Sequence, residues 1–280
     1  MAQGRAVEVI TIDYSGKSVF VAGGTSGINR GIAEGFASAG ARVAVLSRSQ
    51  AKVDATVAAL EALGADALGC CSDVRDYPGV EQALASAAAA FGPIDVLVSG
   101  AAGNFPARAL DMSPNGFRAV MEIDLLGTFH VLRAAHTFLR RPGASVINIS
   151  APQSFVPMVT QVHVCAAKAG VDMITRTLAQ EWGADGIRVN SIVPGPIDGT
   201  EGVERLMPTA ALRQKVRAAV PLDRLGTTED ISMAALFLGS PLASYISGTV
   251  LPVDGGWSLG GVSSLMAEFE AYSDLVEGSP

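Results

Sequence analysis

Short apolar runs alternate with amphipathic helical stretches along almost the whole chain. The runs at residues 19–22, 41–46, 67–72, 94–99, 145–150, 187–193 and 249–253 read as β-strands. Helical patterns follow the first of them up to Gly40 and recur at residues 52–63, 80–91, 115–139, 164–182 and 228–238. This is the rhythm of an α/β chain made of βαβ units. Residues 201–219 break it with two short helical patterns and form a candidate substrate lid. A last helical pattern covers 263–276. No repeat, low-complexity tract or linker-like break divides the chain, so one domain is expected over 1–280.

The first strand runs into a glycine cluster, Gly23-Gly24-Thr25-Ser26-Gly27-Ile28-Asn29, that opens a helix. Strand, glycine turn and helix in that order form a dinucleotide-binding opening. The glycines let the backbone turn tightly against a pyrophosphate, and the first helical N–H groups face the phosphates. Asn29 stands where the third glycine of this motif is expected. A side chain there demands room between helix and sheet, or points toward the ligand.

The strand at 41–46 is followed by Ser47-Arg48-Ser49. The residue after this strand meets the adenosine ribose. An acid there would bind the 2′-hydroxyl of NAD, whereas Arg48 favours the 2′-phosphate of NADP. Asp73 and Val74 close the third strand, where cofactor contacts gather. After the fourth strand, Gly100-Ala101-Ala102-Gly103 lets a flat ligand lie against the backbone.

Composition narrows the partners. The 280 residues carry a net charge of −7, which argues against nucleic acid. Hydrophobic residues make up 49% and charged ones 17%. Charge is thus sparse for a large monomer's surface, and an oligomer is expected. Cys70, Cys71 and Cys165 form neither a disulfide framework nor a metal-ligand pattern, which fits a reduced, cytoplasmic setting. No run is long enough to span a bilayer. The chain shows neither a signal-type start nor a peroxisomal-type terminal tripeptide.

Two charged side chains interrupt apolar helical stretches. Asp124 lies in MEIDLLG, costly to bury without a partner. Lys168 lies in HVCAAKAGV, where a lysine can also snorkel to the surface. His163 is a further acid–base candidate at neutral pH. His130 and His136 face different sides of their helix, so no metal site follows.

The order of landmarks over residues 16–257 resembles the short-chain dehydrogenase/reductase family. The features that carry it are Gly23-x-x-x-Gly27, Asp73-Val74, the small-residue run after the fourth strand, Lys168, IRVNSIVPGPI and the closing VDGG. The resemblance implies a single-domain Rossmann fold: a doubly wound, seven-stranded parallel sheet with helices on both faces. It also implies a nicotinamide cofactor and a homotetramer joined through the helices that begin near Asn115 and Val164. The cofactor contacts carried over are Gly23, Thr25, Ser26, Gly27, Ile28, Ser47, Arg48, Asp73, Val74, Ala101, Lys168, Pro194, Gly195, Ile197 and Thr200.

The family's catalytic Tyr, four residues before the Lys, is Val164 here. Its Ser corresponds to Ala151, and its helix Asn to Asp124. A Tyr–Lys–Ser set moves a proton on a carbonyl oxygen. Valine and alanine do not, so ordinary ketone reduction is not expected.

A subgroup resembles the chain more closely. Ala101-Ala102-Gly103-Asn104-Phe105, Glu122-Ile123-Asp124, Gln161-Val162-His163 and PGPIDGTEG are similar to 2,4-dienoyl-CoA reductases of the peroxisomal type. The activity this implies is NADPH-dependent reduction of a conjugated acyl-CoA thioester. Asp124 would donate the proton or hold a proton-delivering water, with His163 ranked second. Lys168 would hold the nicotinamide ribose. The acyl-CoA contacts carried over are Arg48, Arg75, Phe105, Ser113, Pro114, Asn115 and Arg205. Three other readings stand beside this one: Asp124 and Lys168 as a purely structural ion pair, reduction of a different carbonyl or enoyl substrate, and a non-catalytic NADP-binding scaffold.

Overall fold

The computed structural model describes residues 11–265. Seven strands form one all-parallel sheet in the order β3-β2-β1-β4-β5-β6-β7. They are β1 Ser18–Ala22, β2 Arg42–Ser47, β3 Ala67–Cys71, β4 Val96–Ser99, β5 Ser145–Ile149, β6 Arg188–Pro194 and β7 Val250–Val253. This is a doubly wound α/β sheet, as the resemblance implies.

The central strands read as apolar runs because both of their faces are covered. Alternate residues serve opposite layers. Val19 and Val21 of β1 join a core with Ile32 and Phe36 of α1 (Gly27–Ser38) and Ile231 of α9 (Thr228–Gly239). Phe20 and Ala22 join the opposite core with Leu84 of α3 (Tyr77–Phe91) and Leu132 of α5 (Gly127–Ala135). The remaining sheet-flanking helices are α2 (Gln50–Ala62) and α6 (Val162–Glu181).

A third apolar cluster lies apart from these two cores. It joins Val203 of α7 (Glu201–Leu206) and Leu212 and Val216 of α8 (Ala210–Ala219) to Met158, Met207, Trp257 and Val262. The two short helical patterns at 201–219 are thus real helices, each capped by a threonine side chain, Thr200 and Thr209. The short α10 (Gly261–Ser264) starts where the tail pattern 263–276 was expected; residues 266–276 of that pattern lie outside the described residues.

The long helix expected at 115–139 is present as one unbroken helical run, but it is not regular throughout and it ends earlier. The stretch consists of α4 (Pro114–Val120), a π-helical segment Met121–Leu126, and α5, which ends at Ala135. A π turn adds a residue to the helical circuit without changing apolar periodicity enough to be read.

The strand order reverses between β1 and β4. That switch point opens a crevice at the carboxyl ends of the strands, the place where open α/β sheets bind ligands.

Candidate active site

A cavity of about 880 Å³ runs along the carboxyl ends of the strands. All fifteen cofactor positions carried over in the sequence analysis line it, from Gly23 to Thr200. The turn after β1 is tight enough to need glycine. Gly23 has φ +76°, and a Cβ there would lie 2.8 Å from the Ala101 backbone. The backbone of this turn therefore packs directly against the β4 exit, leaving the α1 N-terminus to face the crevice. That cradle fits a pyrophosphate.

At the β2 end of the cavity, Arg48 and Arg75 both approach Asp73. Arg75 holds it with two side-chain hydrogen bonds, 3.0 Å from Nε and 2.7 Å from Nη2, while Arg48 Nη1 stands 3.8 Å away. The Arg75 hydrogen bond holds the Asp73 carboxyl below its usual range. Arg48 is 63% exposed and only loosely paired, so its guanidinium is free to meet a ribose phosphate.

The centre of the cavity is set by the π segment and α6. Asp124 sits inside the π turn and is 1% exposed. Its Oδ1 accepts a 2.7 Å hydrogen bond from the Gly103 N–H, and its Oδ2 lies 3.3 Å from Lys168 Nζ. Lys168 Nζ also donates to the Ile149 carbonyl at 3.1 Å. The lysine is therefore pinned inside the fold and does not snorkel to the surface. Val164, one turn before Lys168 on α6, and Ala151, just past β5, both line the cavity beside this pair. The two positions where the family carries hydroxyls are thus apolar wall.

His163 points elsewhere. It is fully buried, does not line the cavity, and its ring packs on Phe105 at 4.6 Å between centroids. Burial pushes its pKa down, against the opposing pull of the Phe105 main chain and the Asp124 charge. A buried imidazole that is not part of the cavity wall gives its second rank as proton donor no geometric support.

The acyl-CoA positions divide. Arg48, Arg75 and Arg205 line the cavity; Phe105, Ser113, Pro114 and Asn115 do not. Ser113 caps α4 by accepting from the Gly116 N–H. Phe105 lies against this same turn and His163. Arg205 bonds the Asn104 carbonyl at 3.2 Å and pairs with Glu201, which also meets Lys52 across the groove. Sequence reasoning missed the apolar end of the cavity, formed by Met158, Leu206, Met207 and Trp257. These residues come from three separate segments, and nothing local marks them as anything but core.

Among the described residues there is no cluster of metal-ligating side chains, and no helix is long and apolar enough to cross a membrane.

Comparison with known proteins adds the lineage. A family profile described as enoyl-(acyl carrier protein) reductase matches residues 22–258. A peroxisomal 2,4-dienoyl-CoA reductase, (3E)-enoyl-CoA-producing, of Rattus norvegicus is 44% identical over 261 residues, covering 92% of this chain and 89% of the relative. Its Arabidopsis thaliana namesake is 43% identical over 251 residues, covering 86% and 84%. The crystal structure of a short chain dehydrogenase from Bacillus anthracis superposes with a TM-score of 0.78 at 36% identity, covering 86% of this chain and 96% of that one.

Proposed function

The chain belongs to the short-chain dehydrogenase/reductase family, an oxidoreductase lineage that uses nicotinamide cofactors, and from that membership we propose that it is an NADPH-dependent 2,4-dienoyl-CoA reductase. The observation that carries this reading is the buried Asp124–Lys168 pair facing a cavity whose Tyr and Ser positions are Val164 and Ala151. Such a site lacks the donor that protonates a carbonyl oxygen during ketone reduction. It keeps what addition to a conjugated thioester needs: a fixed positive charge near the carbonyl, and a carboxylate able to steer a proton to carbon.

The bound cofactor supplies the hydride. The chain's residues do the rest. Lys168 donates to the Ile149 carbonyl and stands 3.3 Å from Asp124 Oδ2 as an ion pair without a hydrogen bond, which leaves donors for the nicotinamide ribose. Its charge also favours the negative charge that collects on the thioester oxygen. Asp124 Oδ1 is taken by the Gly103 N–H, whereas Oδ2 is buried without a hydrogen-bond partner, so Oδ2 is the atom that holds a water beside the substrate. That water protonates the α-carbon. Hydride at the far end of the diene, a shifted double bond and one proton at the α-carbon give a 3-enoyl thioester. Val164 and Ala151 keep competing hydroxyls away from the substrate carbonyl.

Arg48 supports NADPH over NADH, and the apolar Met158–Met207–Trp257 end suits an acyl chain. Arg75 and Arg205 suit the CoA phosphates. The reading includes a homotetramer joined through α5 and α6, whose exposed Phe129, Val162 and Met173 form apolar surface; sedimentation showing a monomer would remove that part. The three cysteines, all free thiols, suit a reducing, cytoplasmic setting; fractionation of cells placing the chain inside another organelle would overturn it.

Arg48→Asp is expected to raise the NADPH KM about tenfold, because a charge-assisted contact becomes repulsive, and to leave the NADH KM nearly unchanged. Equal effects on both cofactors would move the 2′-phosphate site away from Arg48. The reaction itself is tested by product labelling. Turnover in D₂O should place a single deuterium at the α-carbon of a 3-enoyl product, and an alcohol product with no solvent deuterium on carbon, or no product at all, would refute the assignment.

A further inference from the structure

Asn29, which departs from the glycine turn, meets Gly100 at the end of β4 in the structure. Asn29 Nδ2 donates a 2.7 Å hydrogen bond to the Gly100 carbonyl. Gly100 has no side chain, and a Cβ built on it would lie 2.6 Å from the Asn29 Cγ, inside the carboxamide. The asparagine therefore occupies the space that glycine leaves open. The opposite amide orientation would set oxygen against oxygen, so the contact fixes the side chain in one pose. Asn29 Oδ1 is buried without a hydrogen-bond partner, which leaves the Nδ2 contact as the bond that holds the group.

The position of this contact gives it a role. Asn29 lies in the first turn of α1, and Gly100 starts the run of small residues after β4. β1 and β4 flank the switch point of the sheet, and both residues line the main cavity. The bond thus ties the two walls of the crevice together across its floor.

We propose that Asn29 is a positioning residue for the dinucleotide, a strap that holds the phosphate-binding end of α1 at a set distance from the β4 exit, with Gly100 as its obligate partner. This rests on the reading of the crevice as an NADPH site. Without the strap, the helix end and the small-residue run shift independently, and the cofactor must order them on binding. The apolar end of the cavity, walled by Met158, Met207 and Trp257, is built from other segments of the chain.

The test compares the wild-type chain with Asn29→Ala, Gly100→Ala and the double variant Asn29→Gly/Gly100→Ala. NADPH Kd is read by cofactor fluorescence, beside Tm and the KM for a dienoyl-CoA. Asn29→Ala is expected to weaken NADPH about fivefold, the worth of one buried hydrogen bond, with the thioester KM unchanged. Gly100→Ala should weaken it more, because the new methyl displaces the carboxamide. The double variant should recover that second loss, since the methyl then fills vacated space. The proposal is overturned if Asn29→Ala lowers Tm but leaves Kd intact, or if Gly100→Ala is as damaging in the Asn29→Gly background as in the otherwise wild-type chain. A wild-type chain that binds no NADPH refutes the cofactor reading, and with it the role of the strap, while the recovery of Tm in the double variant still tests the contact by itself.

Discussion

Asp124→Asn should lower kcat for dienoyl-CoA reduction about a thousandfold and leave NADPH affinity within about twofold, within the range of a lost proton-transfer group. Asparagine keeps the size of the side chain and an oxygen that accepts from the Gly103 N–H. What it loses is the charge that pairs with Lys168 and orients a water toward the substrate carbon. Alanine is a poorer probe, because it would also strand the Gly103 N–H. Steady-state NADPH oxidation, with cofactor Kd measured separately, reads both quantities. Unaltered turnover in Asp124→Asn would show that a water held by other groups delivers the proton, and Asp124 would then be structural.

The second large effect falls on stability as well as turnover. Lys168→Met leaves a carboxylate that is 1% exposed without its cation. Breaking a buried pair on one side costs about 3 kcal/mol or more, which for a chain of this length lowers Tm by roughly 8 °C. NADPH binding should weaken too, through loss of the donor assigned to the ribose. The double variant Asp124→Asn/Lys168→Met removes both charges, and most of the lost Tm should return because no ion remains unpaired. Activity should stay absent. Calorimetry and turnover on the same four proteins therefore separate the two meanings of the pair. If the double variant regained both Tm and activity, the pair would be structural only.

The strands were legible because a parallel sheet covered on both faces forces near-continuous apolar runs, and 145–150 or 187–193 stand out for that reason. Boundaries moved by a residue or two, as at β4, where Ile94 precedes the strand and forms a separate bridge to Leu139. The π segment was hidden, since one added residue barely disturbs apolar spacing over a single turn. Its trace was chemical: a carboxylate in MEIDLLG with no visible partner in the sequence. Lys168 was legible as a position but not as a buried one, because a lone lysine on an apolar helix reads equally well as snorkelling. The link between Asn29 and Gly100 had no local signal at all. Asn29 read as a departure in the glycine turn and Gly100 as the first of a run of small residues, and only the crossing from α1 to β4 brings residues 71 positions apart into hydrogen-bond contact.

The non-catalytic scaffold and the reductase differ in one direct observation. NADPH absorbance should fall when the wild-type chain is mixed with a short 2,4-dienoyl-CoA, and should stay constant with a 3-ketoacyl-CoA of the same length. Oxidation with the ketoacyl-CoA instead, or none with either thioester while NADPH binds, would contradict the assignment of Asp124 and Lys168 to dienoyl thioester reduction.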